Sequence, residues 1–444
     1  MRNLCKFILM TLVLAALLSG CSMPTVDELY CLPKRSNSDS NLQEVIDEEM
    51  DGLQYSAPIS GTNQQTVQAA DLDGDGKDEY LLFAKDASER PLKILIFSEV
   101  AVGYVLMDTI EGYGFAFEFV DYADVDDRPG LEIIVGRQVS DQVVRSVSVY
   151  RFTSGFSRQL MTASYSRIIT EDFDADGRED LFLICPGQRE DSPAAAVLYT
   201  YEDEEIRRSA ELNLSAPAEA LRRVTLSKLE DGTPAVFASM ALDENNLVTD
   251  VLTAAGRQVE SVISGFKTGT LRNYYVYPED IDGDGVAELP ALVSMDIPED
   301  DQPQYMIEWY SLTRSGEFMN KLLTYHNLNY GWYLRLNPLW RAGLTVLQTE
   351  DAYAFRLQSE EAKEPEELFT ILILTGPDRQ EQAKQEGRFL LHTGETEVYV
   401  LEIDEEKSQL DVQELVNSFR LIRMDWNNEE NREDENEKGS DSGR

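Results

Sequence analysis

Short apolar runs separated by Asp- and Gly-rich turns fill the chain from about residue 57 to 327. Thr66–Asp71, Glu79–Lys85, Pro91–Glu99 and Tyr104–Ile110 form one set of four. Ala116–Asp124, Leu131–Gly136, Ser146–Phe152 and Ser157–Ser164 form the next. Runs of this length bounded by such turns predict β-strands. Four strands in about fifty residues suit a propeller blade better than a sandwich, and one such sheet cannot bury both faces without its neighbours. Beyond residue 327 the period stops. Asn329–Asn337 opens a region of further runs, Leu344–Thr349, Ala352–Leu357, Leu368–Thr375 and Val398–Ile403. Near Pro377–Glu386 and Asp411–Ser418 the pattern turns helical, with Gly387 as a stop signal. The expectation is a mainly β protein. A β-propeller of about five four-stranded repeats occupies 57–327, and a small α+β domain follows over 328–426.

The turns between the first two strands of each unit share one design. They read Asp71-Leu-Asp-Gly-Asp-Gly-Lys-Asp-Glu79, Asp124-Val-Asp-Asp-Arg-Pro-Gly-Leu-Glu132, Asp172-Phe-Asp-Ala-Asp-Gly-Arg-Glu-Asp180 and Asp280-Ile-Asp-Gly-Asp-Gly-Val-Ala-Glu288. Their first residues are 53, 48 and 108 apart, the last being two periods. Midway through that double gap Thr225–Thr233 precedes another apolar run, so a fifth unit is present that has lost its acids. Carboxylates at positions one, three, five and nine, with glycine at six, suit a hard cation that takes six to eight oxygens. The expected calcium ligands are Asp71, Asp73, Asp75 and Glu79; Asp172, Asp174, Asp176 and Asp180; and Asp280, Asp282, Asp284 and Glu288. An EF-hand would need a bidentate Glu at position twelve, where Leu82, Leu183 and Ala291 stand, and would lead into a helix rather than a strand. A plain tight turn is the competing explanation, since Asp and Gly favour turns in any case. Three copies with four acids at the same offsets argue for calcium, because clustered carboxylates repel without a cation. In the second loop Arg128 replaces the position-five acid and Pro129 the glycine, so Arg128 is expected to stand in that site and neutralise its acids, with no metal there or a weakly bound one.

These loops resemble the FG-GAP (integrin α-type) repeats and the related VCBS repeats, whose acidic loop joins the first two strands of a propeller blade. The match covers about residues 57–325. It is specific in three units and degenerate in the other two. The order of segments is similar to that of repeat-bearing bacterial lipoproteins, which implies a fold and a metal but no activity.

The N-terminus changes the cellular picture. A basic start, an apolar run over Phe7–Leu18 and small residues before Cys21 make residues 1–20 a secretory signal. Leu18-Ser-Gly-Cys21 resembles a lipobox, which implies lipid on Cys21. A diacyl group anchors stably where a single chain would not. The protein is therefore expected on the outer face of a bacterial membrane, held through 21–56 as anchor and polar linker. A Cys31–Cys185 bridge stays open. The net charge of −43 becomes about −45 once Arg2 and Lys6 leave with the signal. Such a surface repels nucleic acid and suits cations. Residues 427–444 are polar and charged without apolar period, and are expected to be disordered.

Catalytic signals are sparse. The two histidines, His326 and His392, lie in different expected elements, and no nucleophile elbow, zinc motif or phosphate loop occurs. Tyr330, Trp332, Tyr333 and Trp340 are either core or a platform for sugar rings. The preferred function is a calcium-stabilised binding or interaction module for a protein or glycan. The alternative is a hydrolase or lyase acting on cell-wall or environmental polysaccharide, with the propeller as an accessory.

Overall fold

The structure is a computed structural model. It describes residues 37–422 except 127, 140–144, 190, 245, 265–269, 275, 296–303, 359–363, 405–407 and 409. The signal 1–20, Cys21, Cys31 and the tail 427–444 lie outside the described residues. No helix of the described residues is long and apolar enough to cross a membrane.

The apolar runs become antiparallel strands, in six sheets. Sheet I contains Val67–Ala70, Glu79–Lys85, Leu92–Val100 and Gly103–Gly112, with Gln54–Tyr55 added beside Glu79–Lys85. Sheet II contains Ala116–Ala123, Glu132–Gln138, Arg145–Thr153 and Phe156–Tyr165. Sheet III runs from Arg167–Glu171 to Glu205–Asn213, and sheet IV from Leu221–Lys228 to Gln258–Ile263, each of four strands. Short turns between consecutive strands make every one of these a meander. Sheet V holds Leu289–Ser294, Tyr305–Leu312 and Phe318–Asn327. Its first strand is reduced to one bridge between Glu279 and Glu288.

Consecutive sheets pack face to face as the blades of a β-propeller. Strand alternation gives each sheet two apolar faces, and separate apolar clusters fill the gaps. Phe83 and Ile94 of sheet I meet Phe117, Val135 and Phe152 of sheet II. Val147 and Leu160 of sheet II meet Leu181, Leu183 and Ile206 of sheet III. Phe182 and Leu198 meet Val236 and Met240 of sheet IV, and Phe237 and Val251 then meet Leu289 and Leu312 of sheet V. The outer face of sheet I is covered by helix α1, Asn37–Glu49, whose Leu42 and Ile46 rest on Leu82, Ala84, Leu95 and Phe97. Part of the expected polar linker is thus a packed helix, because Leu42, Val45 and Ile46 fall on one helical face. On the sixth sheet, Leu374, Val398 and Val400 face Ala383 at the end of α2, Arg379–Gln382. Among the described residues no apolar cluster joins sheet I to sheet VI.

The C-terminal region keeps its mixed character. Its five-stranded sheet VI runs in the order Leu344–Gln348, Ala352–Leu357, Glu366–Thr375, Glu397–Glu402, Arg388–Thr393. Helix α3, Val412–Ser418, is capped by Asp411, which accepts from the Gln413 and Glu414 N–H groups. The boundary expected at 327/328, however, runs through a sheet. Trp332–Leu336 pairs with Phe318–Asn327, and Phe419–Leu421 pairs with it in turn. Trp332, Tyr333 and Trp340 are buried, and Tyr330 is the exposed member of that aromatic group. Trp332 lies wholly inside the cluster that joins sheets V and VI, so core is the role the fold assigns it.

Candidate metal centres at the blade loops

The acidic loops sit at one corner of their blades, between the first and second strands. In units one, two, three and five, eight residues make this connection: 71–78, 124–131, 172–179 and 280–287. In unit four only 229–233 join Leu221–Lys228 to Pro234–Ala241. That unit has lost the loop itself, not merely its acids. Thr225 and Ser227 lie in the strand, and Leu229 is buried between sheets IV and V.

Within each long loop, carboxylates fold the backbone around themselves. Asp71 Oδ1 accepts from the Gly74 N–H at 2.8 Å and its Oδ2 from the Gly76 N–H at 3.0 Å. Asp280 repeats both bonds with Gly283 and Gly285 at 2.7 and 2.9 Å. The position-nine acid reaches back from the second strand, with the Leu72 N–H donating to Glu79 Oε2 and the Ile281 N–H to Glu288 Oε2. The result is convergence. Asp71, Asp73 and Glu79 bring one carboxylate oxygen each within 4.8 Å of the others. So do Asp172, Asp174 and Asp180; Asp280, Asp282 and Glu288; and, in the second loop, Asp124, Asp126 and Glu132. Position five stands apart. Asp75, Asp176 and Asp284 each accept from the N–H two residues on. Asp176 also pairs with Arg178, and Asp284 with Lys321 at 3.1 Å. Three of the four expected ligands therefore share a centre in each loop, and the fourth is held by its own turn.

Burial makes these clusters costly. Glu79, Asp180 and Glu288 are nearly inaccessible. Desolvation disfavours the charged form, and the neighbouring loop acids add to it. Asp180 is pushed up to about 7 and Glu288 to about 8, with burial the larger cause and the aspartates of the same loop the lesser. A divalent cation at the centre would reverse that balance, since oxygens of this kind and number suit calcium.

The second loop resolves the same problem differently. Arg128 does not stand in the site: its guanidinium reaches outward to Glu204 of sheet III at 2.8 Å. Arg151, on the third strand of sheet II, takes that place. Its Nη2 contacts Asp126 and its Nε lies 3.3 Å from Glu132 Oε1, with all three side chains buried. Sequence reasoning missed Arg151 because it lies far beyond the loop. Strand register brings it back, since Ile133 is opposite Tyr150 and the next pair outward is Glu132 with Arg151. The same step in sheet I gives Ser98, whose hydroxyl donates to Glu79 at 3.1 Å. In sheets III and V it gives Thr200 and Ser311.

The loops are also linked to one another. The Leu131 N–H donates to Asp71 O at 3.1 Å and the Glu179 N–H to Asp124 O at 2.8 Å. Position eight of one loop thus clasps position one of the loop before. Gly74 is packed so closely on Pro129 that a Cβ there would fall 2.3 Å from the proline side chain.

These features define a β-propeller carrying acidic loops at an equivalent corner of four blades. No family model and no curated protein matches the chain. Solved structures similar in part include a rhamnogalacturonan lyase from Bacillus licheniformis, at 10% identity and TM-score 0.31, over 55% of this chain and 59% of that one. The chain thus spans about 59% of that lyase's length. A Lactobacillus plantarum protein aligns at 12% identity and TM-score 0.30, over 70% and 85% of the two chains. The β-propeller domain of the Trilobed protease from Pyrococcus furiosus aligns at 13% identity and TM-score 0.27, over 77% and 91%.

Proposed function

We propose that this chain is an exported, lipid-anchored binding module whose propeller is stabilised by calcium in loops of the FG-GAP/VCBS kind. The observation that carries the reading is the threefold cluster of converging carboxylates, each with a buried acid at position nine. Calcium there would be held by Asp71, Asp73 and Glu79; by Asp172, Asp174 and Asp180; and by Asp280, Asp282 and Glu288, with the position-five acids turning in. Its role is structural. It neutralises the hinge between the two inner strands and so stiffens the scaffold that presents the connecting loops to a protein or glycan.

Two side chains favour binding over catalysis. His326 is stacked on Tyr333 with ring centroids 5.1 Å apart, and burial drives its pKa down to about 3. A base so buried cannot meet a polymer. His392 lies in the strand Arg388–Thr393 beside Tyr399. A screen of the mature chain against glycans and surface proteins tests the reading. Binding without turnover supports it, and turnover of any polymer overturns it. The anchor is tested separately: fatty-acid labelling should mark the wild type and spare Cys21→Ala, and equal labelling would refute attachment.

A further inference from the structure

The gap between sheets IV and V ends, away from the acidic loops, in a polar mouth. Apolar packing stops there, and a polar row takes over. Arg223 is opposite Ser239, and Ser239 opposite Thr249, so the three share the face turned to sheet V. Arg272 lies across this row and is 6% exposed. Its Nε donates to Val276 O at 2.8 Å, and its Nη1 to Thr249 Oγ1 and Thr270 O, each at 3.0 Å. Its Nη2 is buried without a hydrogen-bond partner, as is the Tyr274 hydroxyl. Beside them opens a cleft of about 360 Å³ lined by Arg272, Tyr274, Asn246, Asn273 and Leu271. It lies against Pro290–Leu292, where sheet V lacks the first strand that the other blades have.

A buried guanidinium with a free N–H group is costly unless an anion meets it. In this chain 82 acidic residues face 39 basic ones, yet no salt bridge links Arg272 to a carboxylate among the described residues. Burial pulls Arg272 down to about 10, and only Tyr274 and Tyr277 oppose it. A second guanidinium, Arg223, lies over the Tyr277 ring at 5.6 Å, and its Nη1 is also buried without a partner. Two guanidiniums with unpartnered N–H groups therefore sit together at this mouth.

We propose that this cleft binds the carboxylate of an acidic sugar, with Arg272 as its charge partner and Tyr274 as its second donor. The inference rests on the reading of the chain as a binding module and names its ligand class. With Nε and Nη1 of Arg272 already engaged, one guanidinium edge remains, which suits one oxygen of a singly charged carboxylate. Arg223 does not line the cleft, so a phosphate dianion there would meet Arg272 as its one lining cation. The Asn273 amide can both donate and accept, as ring hydroxyls require, while the Asn246 amide nitrogen already donates to Asp243 at 2.7 and 2.9 Å and offers its oxygen as an acceptor. The volume suits one small ligand unit.

Calorimetry on the full mature chain with a glucuronate-containing disaccharide, its neutral glucose counterpart and inorganic phosphate tests this. The glucuronate ligand should bind at least tenfold more tightly than either of the others. Arg272→Gln should lose at least tenfold, and Tyr274→Phe, which keeps the ring, should lose severalfold without changing the melting temperature. Equal binding of the charged and neutral sugars, tighter binding of phosphate, or unchanged affinity in Tyr274→Phe would each overturn the assignment. Binding of a neutral glycan alone would sink this inference and leave the module reading intact. Failure of every glycan and protein would sink both.

Discussion

The second blade and the first, third and fifth place three acids at the same corner, yet they surround them differently. In the second, Arg151 lies against buried Asp126 and Glu132. In the first, third and fifth, the facing position holds Ser98, Thr200 or Ser311, and among the described residues no buried cationic side chain reaches the three converging acids. Small hydroxyls leave room at the centre and can serve as second-sphere donors, whereas a guanidinium fills it. Among the described residues a buried cation of the chain's own meets the three converging acids at the second blade, while Arg178 and Lys321 reach the position-five acids of the third and fifth. A reading from the loop alone selects the wrong arginine, because Arg128 points to sheet III.

The largest effect should come from breaking the internal pair. Removing one partner of a buried ion pair leaves an uncompensated charge and typically costs about 3–5 kcal/mol. Arg151→Ala should therefore destabilise the chain by about that much at neutral pH, read from denaturant melts, while Ser98→Ala should cost under about 1 kcal/mol. Similar losses in the two variants would erase the distinction between the blades.

Calcium removal probes the other side of the comparison. Extracellular sites of this charge often have dissociation constants of about 10⁻⁴ M, so millimolar calcium contributes about 1.4 kcal/mol per site and about 4 kcal/mol over three independent sites. Chelation should lower the melting temperature accordingly, and equilibrium dialysis should count three ions. Four ions would mean that Arg151 yields to metal, and none would remove the calcium reading altogether. At single loops, Asp73→Ala, Asp174→Ala and Asp282→Ala should each delete one ion and about 1.4 kcal/mol. Asp126→Ala should leave the count at three. Because the second loop clasps the first, losses at the first loop should also loosen the second, visible as faster amide exchange at Leu131.

A smaller, pH-dependent contrast follows from burial. In chelator, the folded chain takes up protons at Asp180 and Glu288 as pH falls through about 7 and about 8, while the unfolded chain does so only near pH 4. The folded state binds more protons in that window, so stability should rise as pH is lowered from about 8.5 to about 5.5. Glu288→Gln mimics the protonated acid and should remove part of the rise. A flat or opposite profile in the wild type would show that these acids are not desolvated as the fold implies.

Much of this architecture was legible in the chain because its information is local. Strands of the first two units fall within a few residues of their apolar runs, since turn residues punctuate them and burial on both sheet faces keeps the inner strands apolar nearly throughout. The loop acids were legible for the same reason. What escaped depends on distant pairing. Trp332–Leu336 looked like the start of a new domain, but its partner strands end at Asn327 and begin at Phe419. Arg151 was hidden because only the register Ile133 to Tyr150 places it beside Glu132. Helix α1 was hidden because a short, polar-rich segment shows its apolar stripe only against sheet I.

The smallest expected effect lies inside the third loop. Its position four is Ala175 at φ 58°, where the first and fifth loops have Gly74 and Gly283 at φ 74° and 85°. An L-residue in this region is strained by about 1 kcal/mol, because its Cβ crowds the following carbonyl. Ala175→Gly should relieve that strain, against a loss of about 0.5–1 kcal/mol from the greater freedom of glycine in the unfolded chain. The two nearly cancel without calcium. With calcium the balance should shift, since the Asp176 N–H that follows Ala175 bonds both Asp172 and Asp174, and a relaxed turn lets those ligands close on the ion. The variant should therefore bind calcium at the third loop severalfold more tightly with little change in chelated stability. Tighter binding at the first or fifth loop instead, or a clear loss of chelated stability, would show that Ala175 is not what separates the third site from its two relatives.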